Sequence, residues 1–128
     1  MNLLVPISWG ELIDKITILE IKSERLTSKP ALDNVRRELA RLAGIAGEAE
    51  SLEPKLTPLK EELKRVNETL WQVEDDIRAK EAERIFDSDF IALARAVYHN
   101  NDKRGVLKQQ INALLKSDIT EEKQYSRY

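Results

Sequence analysis

Apolar residues recur along this chain at helical spacing, three or four apart, and almost never in the strict alternation of a half-buried strand. After a short extended arm over residues 2–7, where Pro6 holds Val5 in the extended region, Ser8-Trp9-Gly10-Glu11 has the spacing of a capping box and predicts a helix over residues 8–26. Ser28-Lys29-Pro30 breaks it. Leu32, Val35, Leu39 and Leu42 define a second helix over 31–50, weakened by Gly44 and Gly47 and ended by Pro54. Thr57 is the expected cap of a third helix over 58–84, with proline in its first position and Leu63, Val66, Leu70, Val73 and Ile77 in a 3-4 repeat. Asp87-Ser88-Asp89 caps a fourth over 89–116, with Gly105 as a candidate kink. Residues 119–128 are expected to form a short docked tail. The fold class that follows is all-α: a single-domain antiparallel bundle built on a long, coiled-coil-like hairpin of helices three and four, with helix one packed along it.

The polar residues that interrupt this pattern carry more information than the apolar ones. Projected at about 100° per residue, helix one places Leu12, Ile13, Ile16, Leu19 and Leu26 on one arc, with Glu20 inside it, while Ile18 and Ile21 point the other way. A helix apolar on two sides is either central in its bundle or shared with a second subunit, which leaves a homodimer open. In helix three, Asn67, Trp71, Glu74, Arg78 and Glu81 flank the core stripe. In helix four, Asn101, Lys108 and Asn112 fall near the centre of the arc set by Phe90, Ala94, Val97, Ile111 and Leu115, with Tyr98 and Arg104 at its margins. Such residues in a helical seam cost stability unless they pair. Glu20, Glu74, Asp75 and Asp102 are the acids expected to pair with them. Glu20 and Lys108 each need a partner, because a lone buried charge is far too costly.

Two interpretations of this polar seam stand side by side. One is a network of ion pairs and amides that fixes helix register. The other is a pocket for a small anionic ligand, held by Lys108, Arg104 and Arg78. The candidate ligand-binding set is Glu20, Asn67, Trp71, Glu74, Asp75, Arg78, Tyr98, Asn101, Asp102, Arg104, Lys108 and Asn112. No catalytic residue emerges: His99, the single histidine, reads as a solvated or capping group rather than a general base. Trp9 and Trp71 read as core or interface anchors.

Composition narrows the chemistry further. The 128 residues include no cysteine, which excludes disulfides, thiolate zinc sites and iron–sulfur clusters, and four glycines cannot build a phosphate loop. Successive carboxylates such as Glu74, Asp75 and Asp76 diverge around a helix, so no metal site and no cofactor are expected. A net charge of −2, with no basic run longer than Arg36-Arg37, argues against a nucleic-acid partner. No run approaches the ~20 apolar residues of a membrane span, and the apolar start lacks a basic leader, so a cytoplasmic location is expected.

Three sets of residues carry a resemblance. They are Pro6-Ile7-Ser8-Trp9-Gly10-Glu11-Leu12-Ile13-Asp14-Lys15-Ile16-Thr17-Ile18-Leu19-Glu20-Ile21-Lys22, Asn67-Glu68-Thr69-Leu70-Trp71-Gln72-Val73-Glu74-Asp75-Asp76-Ile77-Arg78, and Tyr98-His99-Asn100-Asn101-Asp102-Lys103-Arg104. With Lys108, Ile111-Asn112 and Glu122-Lys123-Gln124-Tyr125, they resemble a bacterial and phage family of short all-helical proteins, a domain of unknown function. That resemblance implies no activity. It implies a genomic setting near glycosyltransferases of surface-polysaccharide loci, and so a glycosyltransferase as a protein partner. Glu11-Leu12-Ile13-Asp14-Lys15-Ile16 also loosely resembles the first helix of chorismate mutases, but the likeness stops after that helix. The expected function is a small cytoplasmic binding or assembly protein, tied to cell-envelope polysaccharide synthesis by resemblance alone. The alternative is an anionic-ligand-binding protein or cofactor-free enzyme using the polar seam.

Overall fold

The computed structural model describes all 128 residues: four helices, no strand, and helices packed on one another. They are α1 (Trp9–Arg25), α2 (Lys29–Leu52), α3 (Leu56–Ala82) and α4 (Ser88–Leu114). The fold is all-α and bundle-like, with α3 and α4 forming its longest paired elements and α1 lying against α2, α3 and α4 alike. That central position explains the two apolar faces of α1. Ile13 and Ile16 enter the main core, and Ile21, on the other side, is equally buried at 1% exposure.

Local signals set most of the boundaries. The Glu11 N–H donates to Ser8 Oγ at 3.2 Å, closing the predicted cap of α1. The Phe90 N–H donates to Asp87 Oδ1 at 2.9 Å and starts α4. α4 then runs through Gly105 without a break. The expected start of α3 is corrected. Thr57 does not cap it; the helix begins at Leu56, and the Thr57 hydroxyl donates to Glu50 Oε2 at 2.8 Å across the turn. Leu56 is fully buried, so core packing draws the first turn in ahead of the proline. α2 extends past both glycines to Leu52, since Gly44 and Gly47 face open space.

The core sits at one end of the molecule. Leu12, Ile13 and Ile16 of α1 meet Ala46 and Ala49 of α2, Leu56, Leu63 and Val66 of α3, and Leu107 and Ile111 of α4. Beyond it the α3–α4 hairpin continues as a finger. Between Val73 and Leu107 no residue is fully buried, and Ile85, Phe86 and Ile91 at its tip are exposed. Residues 1–7 form an exposed arm with Leu3, Leu4 and Val5 in solvent. After α4 the chain turns back as an irregular strap along the helix it has just left.

Candidate functional site: a polar seam on the first helix

The seam is organised by a residue outside the predicted set. Asp14, on α1, has a side chain only 2% exposed and takes a two-pronged grip from Arg104 of α4, Nε to Oδ1 at 2.9 Å and the terminal nitrogen to Oδ2 at 2.5 Å. Asn67 of α3 donates from one amide nitrogen to Asp14 Oδ1 and to Thr17 Oγ1, both at 2.9 Å, while the Thr17 hydroxyl donates to the Asp14 carbonyl at 2.8 Å. One carboxylate thereby ties three helices. The hydrogen bond to Asp14 raises the Arg104 guanidinium above its ordinary pKa against the opposing pull of burial.

A turn further along α4, Lys108 lies buried with its ammonium 2.9 Å from Glu11 and 2.8 Å from Glu121 of the strap. Burial pulls its pKa down, but the hydrogen bonds to Glu121 and Glu11 outweigh that pull and leave it raised. The Glu121 carboxyl is lowered by the same bond to Lys108. One more turn on, Asn112 accepts the Gly10 N–H at 2.6 Å. Here α1 and α4 approach so closely that a Cβ on Gly10 would lie 2.5 Å from the Lys108 carbonyl oxygen, which is why glycine stands there.

The expected pairing of seam cations with Glu20 is corrected. Glu20 faces α3, 3.4 Å from Lys60 and 3.7 Å from Lys64, in a separate charge cluster completed by Glu50 and Glu24. Glu74 pairs with Arg78 along an exposed face of α3 at 3.2 Å, and neither reaches Lys108. Asp102 accepts from the Tyr128 hydroxyl.

Seven of the predicted residues nevertheless converge. Asn67, Trp71, Glu74, Asp75, Arg78, Asn101 and Arg104 line a groove of about 570 Å³ between α1, α3 and α4, with Ile18, Ile21 and Leu70 as its apolar wall. Arg25 approaches the Trp71 ring at 6.0 Å. Tyr98 and Asp102 open instead onto a cavity of about 950 Å³ between α4 and the strap. Lys108 and Asn112 turn away from both, toward α1. His99 packs against Tyr98 and Tyr128, with ring centroids 4.9 and 4.7 Å away. No group of three or more histidine, aspartate or glutamate side chains is placed to hold a metal ion, and no helix is long and apolar enough to cross a membrane.

At 100° per residue Asp14 lies between Ile18 and Ile21, a carboxylate within an apolar arc. Glu11 projects at the edge of the same arc, and its meeting with Lys108, like that of Glu121, is made by the tertiary fold. Comparison with curated proteins and with solved structures finds no match. A family model matches residues 3–128, so the chain belongs to DUF6165, a family of unknown function.

Proposed function

We propose that this protein is a cytoplasmic binding and assembly protein that docks a protein partner through the tip of its α3–α4 finger. The observation that carries the reading is the contrast in satisfaction between seam and finger. Arg104 and Lys108 spend donors on the chain's own Asp14, Glu11 and Glu121, which favours a register-fixing network over an anion pocket in the seam. The finger, in contrast, holds out Ile85, Phe86 and Ile91 beyond any core, with Phe86 set edge-on against Phe90 at 5.1 Å. Apolar residues grouped at the end of a projecting element are suited to burial against another surface.

Charge narrows the partner's chemistry. Around the tip stand Glu81, Glu83, Asp87 and Asp89 against Lys80 and Arg84, and Lys80 is taken up by Asp87 at 3.0 Å. A complementary surface is an apolar pocket with a basic rim. Glycosyltransferases of surface-polysaccharide synthesis stand first among partners to test, on the strength of the sequence resemblance. The test places a photo-crosslinking side chain at Phe86 in the full chain inside cells, with the same group at exposed Arg36 of α2 as control. A partner captured from Phe86, absent from Arg36 and lost on Ile91→Glu, is the expected result. Equal capture from both positions, or none from Phe86, overturns the proposal.

A further inference from the structure

A second cavity borders the seam at Asn101 and Arg104 and opens on the far side of α4 from Lys108's partner on α1. It is bounded on one side by α4 and on the other by the strap, and its volume is about 950 Å³, within the range of small-molecule sites. Two latches hold the strap across it. Glu121 binds Lys108 at one end, and the Tyr128 hydroxyl donates to Asp102 at the other. The strap thus lies antiparallel to the last turns of α4, with Lys123 beside Gly105.

Between the latches, two kinds of chemistry face the same space. Lys123 and Arg127 both line it and neither belongs to any of the chain's ion pairs, unlike Arg104, which is committed to Asp14. Tyr98, Tyr125 and Tyr128 line it too, with Tyr98 and Tyr128 rings 5.0 Å apart at an angle of 54°. Asn101 adds an amide able to donate and accept. Free cations call for an anionic group, and exposed aromatic faces call for a planar ring. The one side-chain carboxylate in the lining, Asp102, is engaged by Tyr128. Two free cations in a chain of net charge −2 are too few for a nucleic-acid strand, which leaves a small molecule that joins a ring to a phosphate.

We propose that the space between α4 and the C-terminal strap is a binding site for a mononucleotide-like ligand, with Lys123 and Arg127 on its phosphates and Tyr98, Tyr125 and Tyr128 against its ring. Because both cations and two of the three tyrosines belong to the strap, the ligand ties the strap to α4 from inside. Lys123 and Arg127 are solvent-exposed and take no part in the hydrophobic core, so substituting them leaves the bundle folded.

The proposal is tested by titrating the full chain with adenosine diphosphate, adenosine and inorganic phosphate in separate calorimetric and NMR experiments. Adenosine diphosphate is expected to bind, with adenosine and phosphate each at least about tenfold weaker, since each offers half of the recognition. The Lys123→Ala, Arg127→Ala double variant should reduce the diphosphate to the affinity of adenosine. Tyr98→Ala should weaken adenosine and adenosine diphosphate alike, by about tenfold. Arg84→Ala, a cation at the finger tip, should change nothing. The proposal is overturned if none of the three probes binds, if phosphate alone binds as well as the diphosphate, or if Arg84→Ala costs as much as the strap double variant.

Discussion

The base and the finger are made of the same two helices, yet they obey different rules. At the base, α3 and α4 are both packed against α1, which in turn packs on α2, and polar groups there are bound tightly enough to be buried: Asp14, Thr17, Asn67, Lys108 and Asn112 are all below a tenth exposed. In the finger the same helices have only each other, and the polar groups face water. The base therefore derives specificity from a few expensive contacts, each requiring its partner, whereas the finger derives shape from helix propensity and a thin apolar stripe. A substitution should be felt according to which half it strikes.

The sharpest way to break this division is Asp14→Asn. It leaves the size of the side chain unchanged but strips Arg104 of its counter-charge in a seam where the carboxylate is 2% exposed. Loss of one partner from a buried pair costs about 3–5 kcal/mol. Arg104 retains 28% exposure and some access to water, which points to the lower end of that range. A fall in melting temperature on the order of 10 °C is expected, read by circular dichroism. A shift of a degree or two would mean that the Asp14 hub does not hold the base together.

Next in size is Gly10→Ala. The added methyl would meet the Lys108 carbonyl at 2.5 Å, a backbone atom that cannot rotate away. α1 and α4 must separate, loosening the 2.6 Å bond between the Gly10 N–H and Asn112. A cost of about 1–3 kcal/mol is expected, despite the better helix propensity of alanine. Stabilisation would show that the two helices have slack at this crossing. Gly44→Ala and Gly47→Ala, where nothing lies within 4 Å, should be neutral or stabilising and serve as controls.

At the finger, Phe86→Glu and Ile91→Glu should each move stability by no more than about 0.5 kcal/mol, the range of surface substitutions. Hydrogen exchange should divide the same way. Amides of residues 79–97 are expected to exchange before those around Leu63 and Ile111, because the finger opens without disturbing the core or the Asp14–Arg104 pair. A finger as protected as the base would mean that the two halves unfold as one.

The sequence disclosed these regions unequally, and the reason is the range of the interactions. Caps and 3-4 repeats act within a few residues, so the helices and the bundle class are legible, as is the unusual polarity of α4 at Asn101, Lys108 and Asn112. Which acid meets which base depends on how helices far apart in sequence are rotated, and projection around one helix axis cannot supply that. Hence Glu20, expected to meet the cations of α4, faces Lys60 and Lys64 of α3 instead, and the carboxylate that does grip Arg104 is Asp14. The start of α3 shows the same limit on a smaller scale: a sound local cap at Thr57 yields to burial of Leu56.

The smallest effect concerns the strap, which belongs to the base by contact but resembles the finger in exposure. Its bond to Lys108 lowers the Glu121 carboxyl and raises the ammonium. A carboxyl lowered on folding stabilises above its ordinary value of 4.5, and that contribution is lost as pH falls through the lowered one. For the lysine, stabilisation is present below its ordinary 10.5 and is lost as pH rises through the raised value. The latch thus holds at neutral pH and weakens on the acid side when Glu121 takes up its proton. With Glu121 44% exposed, solvent screening keeps the contribution well under 1 kcal/mol, so the melting temperature is a poor reporter. Backbone NMR shifts of residues 119–123 are a better one. They should move toward disordered values only at a pH below the ordinary carboxyl value of 4.5, while signals from Ile13 and Ile111 stay fixed. Glu121→Gln should give the released shifts already at neutral pH and remove the acid transition. Wild-type strap signals that hold steady through that range would show that the strap is kept in place by its aromatic end, at Tyr98, His99 and Tyr128, and not by the ion pair.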